Sequence, residues 1–71
     1  MNCQIALKSG DSIMVSDFEC IKAPRKTDGE MKVFKKEDIE KVNLIDGITY
    51  TIKGKTIVKI KGEQILYFHF K

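Results

Sequence analysis

Residues 48–70 read ITYTIKGKTIVKIKGEQILYFHF, and their alternation decides the fold class. β-Branched and aromatic residues dominate the stretch, and these suit a pleated, half-buried surface. With Ile48, Tyr50 and Ile52 turned inward, Val58 and Ile60 join them only if the loop around Gly54 contributes an odd number of residues, because side chains along a strand alternate with period two. Lys59 and Lys61 then point outward beside Thr49 and Thr51. A two-residue turn at Gly62 and Glu63, glycine first as a type II′ turn prefers, carries Ile65, Tyr67 and His69 inward. Leu66, Phe68 and Phe70 are left on the lysine side. This last strand is apolar on both faces, which a two-layer sheet cannot bury by itself, so it closes a barrel, lies beneath a helix or meets another chain.

The same punctuation runs upstream. All five glycines occur in turn-like contexts, SGD, TDG, IDG, KGK and KGE, between strand-length apolar segments, which is the pattern of an antiparallel meander. A first strand over Asn2 to Lys8 places Cys3, Ile5 and Leu7 on one face. A three-residue loop at Ser9 to Asp11 then sets Leu7 opposite Ile13 and Ile5 opposite Val15. After Val15 the apolar phase moves to Phe18 and Cys20, which requires a bulge or bend near Ser16 and Asp17. Pro24, the only proline, and RKTDG mark a loop leading to a short strand through Met31, Val33 and Phe34. In FKKEDIEKV, residues 34–42, Ile39 and Val42 lie three apart and acidic residues precede Lys41, so one or two helical turns form there. The expected architecture is mainly β: one domain over residues 1–71, a small, strongly bent antiparallel sheet or SH3-like barrel of five or six strands, with one short helical segment near 35–42.

A chain of 71 residues is close to the lower size at which one hydrophobic core outweighs the chain entropy lost on folding, so oligomerisation is expected. Apolar residues at 42% and charged residues at 32% match a globular domain rather than a disordered tract. No signal-peptide pattern opens the sequence and no apolar run spans a bilayer, so the expectation is a cytoplasmic protein without a membrane partner. Cys3 and Cys20 are too few for a disulfide framework and read as buried thiols. Ten isoleucines and twelve lysines stand against the single Arg25, a bias that AT-rich coding gives, as in low-GC bacteria and their phages. The net charge of +3 is unevenly spread. Residues 1–40 carry seven basic and eight acidic groups (−1), and residues 41–71 carry six and two (+4).

Triad-type catalysis needs a base, and His69 is the only histidine; on an apolar strand such a residue is most often packed and hydrogen-bonded. Cys3, Cys20 and His69 lack the local chelate spacing of a zinc site, so no metal is expected. Asp17 and Glu19, and the cluster Glu37, Asp38 and Glu40, read as solvated carboxylates, the latter at a helix start. No glycine cluster cradles a phosphate. Neither an enzyme nor a cofactor is expected.

Two surfaces stand out instead. Lys53, Lys55, Lys59 and Lys61 form a candidate anion or nucleic-acid face, with Tyr50, Tyr67 and Phe68 close in sequence as the stacking aromatics that small single-strand-binding barrels use. The near absence of arginine weighs against phosphate and base recognition, and exposed lysine also protects sheet edges. Leu66, Phe68 and Phe70 form a candidate protein interface. The leading expectation is a small, homo-oligomeric interaction protein that binds and blocks or adapts a macromolecular protein partner, as accessory and inhibitor proteins of phages and mobile elements do. The alternatives are a nucleic-acid-binding small β-barrel that uses the lysine face and an oligomeric sponge for an anionic nucleotide.

Overall fold

A computed structural model describes residues 1–24 and 29–71; the loop tip expected over 25–28 lies outside the described residues. The described chain is mainly β, with seven strands in two antiparallel sheets. In chain order the strands are β1 (Cys3–Leu7), β2 (Ser12–Val15), β3 (Cys20–Pro24), β4 (Met31–Lys35), β5 (Thr49–Lys53), β6 (Ile57–Lys61) and β7 (Ile65–Phe70). A three-stranded sheet runs β2-β1-β7 and a four-stranded sheet runs β4-β3-β5-β6. The strand number therefore exceeds the expected five or six, and among the described residues no ladder joins the two sheets into a closed barrel. One apolar cluster fills the space between them, drawing Cys3, Ile5, Val15 and Ile65 from the first sheet and Ile21, Phe34, Tyr50, Ile52 and Ile60 from the second.

The β1-β2 hairpin has the expected three-residue loop, placed one residue earlier. The Leu7 N–H donates to the Asp11 carbonyl at 2.9 Å and the Gly10 N–H donates to the Leu7 carbonyl at 3.0 Å, with Gly10 at φ 99°. Glycine supplies that left-handed position without steric cost. Ile5 consequently faces Ile13 rather than Val15, and Cys3 faces Val15. Because the slip is an even number of residues, every side chain keeps its expected face.

The bend expected after Val15 is a sheet-to-sheet corner. Asp17 has φ 52°, a left-handed conformation that only Gly, Asn and Asp adopt readily. Its N–H donates to Asn2 Oδ1 at 3.3 Å, and the Ser16 carbonyl accepts the Lys55 N–H at 2.8 Å. Gly54 fits against this corner because it has no side chain: a Cβ there would lie 2.6 Å from the Ser16 carbonyl oxygen and 2.9 Å from that of Asp17. Beyond it, β5 and β6 pair as the alternation requires, Tyr50 with Ile60 and Ile52 with Val58, across the odd loop 54–56.

The helical segment is a 3-10 turn over Lys36–Lys41 whose Ile39 is half-buried. The Asp38 carboxylate accepts the Lys35 N–H at 3.4 Å and lies 3.6 Å from the Lys41 ammonium. The following loop is held by buried Tyr50, whose hydroxyl donates to the Asn43 carbonyl at 2.5 Å and accepts the Ile45 N–H at 3.0 Å. Gly62 packs under the same loop, where an added Cβ would overlap the Ile45 carbonyl and come 3.0 Å from the Tyr50 ring. Glu63 closes the arrangement by accepting the Gly47 N–H at 3.0 Å. That bond, with one to its own N–H and the nearby Lys61 and Lys8 charges, holds the Glu63 carboxyl below its ordinary 4.5.

The last strand departs most from expectation. Gly62–Gln64 forms a 3-10 turn rather than a two-residue hairpin, and it carries the chain away from β6 into the other sheet, where β7 pairs with β1. The β1-β7 ladder matches Leu7 with Ile65 but Ala6 with Tyr67, so Leu66 is an extra residue that reverses the phase. Phe68 and Phe70 thus lie opposite Ile5 and Cys3 and pack against the core, while Tyr67 and His69 face outward beside Ala6 and Gln4. The placement of Phe68 and Phe70 on the lysine side is corrected accordingly. Phe70 meets Phe18 edge to face with centroids 5.0 Å apart, a contact worth roughly 0.5–1.5 kcal/mol beyond its area.

Two outcomes are expected. Phe68→Glu places a charge against the core and unfolds the chain, whereas Tyr67→Glu, at a position 51% exposed, stays folded by circular dichroism. Gly54→Ala and Gly62→Ala each lower the unfolding free energy, read by denaturant titration, by about 1–3 kcal/mol, the usual range for overpacking, because the nearest obstructing atoms are backbone.

Candidate functional site

The ladders of the four-stranded sheet fix which side chains share its outer face. Cys20 lies between Lys35 and Lys53, and Lys53 is followed by Ile57. In the next row Val33, Lys22, Thr51 and Lys59 stand side by side. Met31 pairs with Pro24, and Thr49 with Lys61, in the row beyond. Lys22, Lys35, Lys53, Lys59 and Lys61 thus share one face, and no row contains a carboxylate. Glu19 lies 4.0 Å from Lys53 at the margin, and an exposed pair at that separation contributes little. Exposed apolar groups interrupt the lysines: Met31 at 57%, Val33 at 42% and Ile57 at 61% of full accessibility.

The structure brings together three of the four expected lysines, Lys53, Lys59 and Lys61, and adds two that were not foreseen. Lys22 and Lys35 come from strands distant in sequence, and only the β3-β4 and β3-β5 registers place them here. A signal for them was available, since Lys22 lies between inward-facing Ile21 and Ala23, as Lys59 lies between Val58 and Ile60. Lys55 does not join the face. It occupies the loop 54–56 and lines, with Lys36, Asp17, Phe18 and Glu19, an open cavity of about 310 Å³. That cavity mixes both signs of charge.

Aromatic stacking groups are absent from this face among the described residues. Tyr50 is buried and hydrogen-bonded, Phe68 packs on the core, and Tyr67 belongs to the outer face of the other sheet. Of the interface candidates, Leu66 is 58% exposed, whereas Phe68 and Phe70 are half-buried.

The remaining reactive side chains lie on separate surfaces. Cys3 is inside the core, Cys20 is buried on the lysine face between its two register neighbours, and His69 is exposed on the far sheet opposite Gln4. Glu37, Asp38 and Glu40 occupy the 3-10 turn. Burial pushes the Cys3 thiol up to about 11, which keeps it protonated and unreactive at neutral pH. Comparison with protein-family models, curated proteins and solved structures finds no match for the chain.

The Cys3 thiol provides a check on this packing. Because its folded pKa is raised, its contribution to stability is complete below the ordinary thiol value and is lost as pH rises through about 11. A thiol reagent at neutral pH is expected to modify Cys3 only at the rate of global unfolding, while Cys3→Ala removes that slow phase. Rapid labelling of Cys3 in the folded protein contradicts the packing described.

Proposed function

We propose that the chain is a small, non-enzymatic interaction protein that docks an acidic protein partner on the outer face of the four-stranded sheet. The observation that carries this reading is the juxtaposition of five lysines with exposed Met31, Val33 and Ile57 on one face without a carboxylate in its rows. A charged face of one sign steers a partner of the other sign and excludes like-charged competitors. The interleaved apolar side chains add contact area that a phosphate backbone does not use. On an acidic protein surface they meet apolar groups of similar size.

A nucleic-acid partner is the second reading, since five lysines on one face also suit a phosphate backbone. Among the described residues, the exposed surface around them offers no ring on which a base can stack. Blocking or adapting the partner, in the manner of phage and mobile-element accessory proteins, is the role this reading assigns to so small a chain.

The test compares the wild type with Lys59→Glu/Lys61→Glu, both exposed. Their melting temperatures are expected to agree, as surface substitutions of this kind shift stability by about 0.5 kcal/mol or less. By fluorescence anisotropy, a labelled oligoglutamate peptide is expected to bind the wild type more tightly than a mixed-sequence single-stranded oligonucleotide of equal length. It is expected to lose at least about tenfold in affinity with the double variant and, separately, to weaken with Ile57→Asp. Preferential binding of the oligonucleotide, with a log–log salt slope that falls by about 0.7 for each lysine contact removed, reassigns the face to nucleic acid. Absence of binding to either probe removes the reading.

A further inference from the structure

Among the described residues the two sheets present four free edges, and three carry the features that keep edges from pairing. β4 bears Lys32 and Lys35, β6 bears Lys59 and Lys61, and β2 is four residues long and ends at the Asp17 bend. Lysine, shortness and local distortion are the usual protections of an open strand. β7 lacks the first two. It is six residues, ILYFHF, with neither a charge nor a proline, and its single irregularity at Leu66 precedes a regular ladder from Tyr67 to Phe70. Among the described residues only β1 pairs with it.

A second observation concerns the outer face of the same sheet. Its rows are Met14, Gln4, His69 and Ser12, Ala6, Tyr67, with exposed Leu66 beside them. None of these side chains is charged when His69 is neutral, in a chain whose formal net charge is +3. Two copies of a basic protein repel each other across most orientations, and an interface related by a two-fold axis sets any charge lying on that axis against its own copy. Over residues 65–70 the edge and the face beside it carry no charge, with Lys71, paired to Asn2, just beyond their end, and they avoid most of that cost. They also give an acidic or basic foreign partner nothing to select.

From these two observations we propose that β7 pairs antiparallel with β7 of a second copy, forming a continuous six-stranded sheet in the order β2-β1-β7-β7-β1-β2. Main-chain hydrogen bonds along the edge supply the association, and Leu66, Tyr67 and His69 of the two copies flank the two-fold axis on the uncharged face. The lysine face belongs to the other sheet and stays free in each copy. Dimerisation is thus independent of the partner assigned above.

Sedimentation equilibrium on the full chain, from about 1 μM to 1 mM, tests the proposal. A monomer–dimer equilibrium with little salt dependence is expected, because no ion pair crosses the two-fold. Tyr67→Lys/His69→Lys, which introduces the edge protection the strand lacks, is expected to raise the dissociation constant by about 100-fold or more while circular dichroism shows a folded chain. Lys59→Glu/Lys61→Glu is expected to leave it unchanged. Amide exchange on the wild type supplies an independent reading: N–H groups on the free side of residues 67–70 gain protection as concentration rises. A chain that stays monomeric to about 1 mM overturns the proposal. So does a dimer that survives the lysine pair, or concentration-dependent protection confined to other strands.

Discussion

The contact on which the rest of the structure depends is the seating of Gly54 against the corner at Ser16 and Asp17. There the chain leaves the sheet of β1 and β2 and enters the sheet of β3 and β5. Asp17 adopts a left-handed backbone, and the loop after β5 closes over it with the Lys55 N–H on the Ser16 carbonyl. The Glu19 N–H donates to the Lys53 carbonyl at 2.9 Å on the other side of the turn. A side chain on residue 54 meets the Ser16 and Asp17 backbone and the buried Val15 side chain, so the corner and the loop fit only as a pair. Their fit brings both sheets onto one core and turns the lysine face away from the uncharged one.

Local features of the sequence were legible where local geometry determines them. The parity of the loop 54–56 follows from where Ile, Val and Lys fall along residues 48–61, and the ladder has that parity. The phase break at Ser16 and Asp17 could be read because Val15, Phe18 and Cys20 do not share one alternation. The short helical turn was visible in the spacing of Ile39 and Val42. The last strand was not legible, for a physical reason. Its register is set by β1, from the opposite end of the described chain, and the extra residue at Leu66 leaves no local mark among apolar neighbours. Gly54 and Gly62 look like turn glycines in the sequence. In the fold both are sites of close backbone approach, a property of whatever packs against them.

The candidate site divides in the same way. Lys59 and Lys61 share a strand and alternate with inward-facing residues, so their common face is a local fact. Lys22 and Lys35 join them through two further ladders, and cross-strand neighbours are a property of topology. Lys55 falls outside the face because the loop that carries it turns toward the corner rather than continuing the strand. Of the aromatics close in sequence to the lysines, Tyr67 and Phe68 are separated from them by the crossover at Gly62–Gln64, and Tyr50 by facing the core. Proximity in sequence therefore overestimates how far rings and charges can act together on one ligand.

The pairing of β1 with β7 also shapes how the molecule is made. Asn2 and Lys71 exchange backbone hydrogen bonds of 2.9 Å in both directions, and the ladder between them holds Cys3, Ile5, Phe68 and Phe70 at the core. A chain emerging residue by residue from a ribosome can form the β1-β2 and β5-β6 hairpins early, but an isolated hairpin is at best marginally stable in water. The three-stranded sheet waits for the final strand, and the loop-closure entropy of joining distant segments has to be overcome before their contacts contribute. Folding is then slow for the size of the domain, and the apolar strand ILYFHF stays open to solvent and to neighbouring chains until its partner from the start of the sequence receives it.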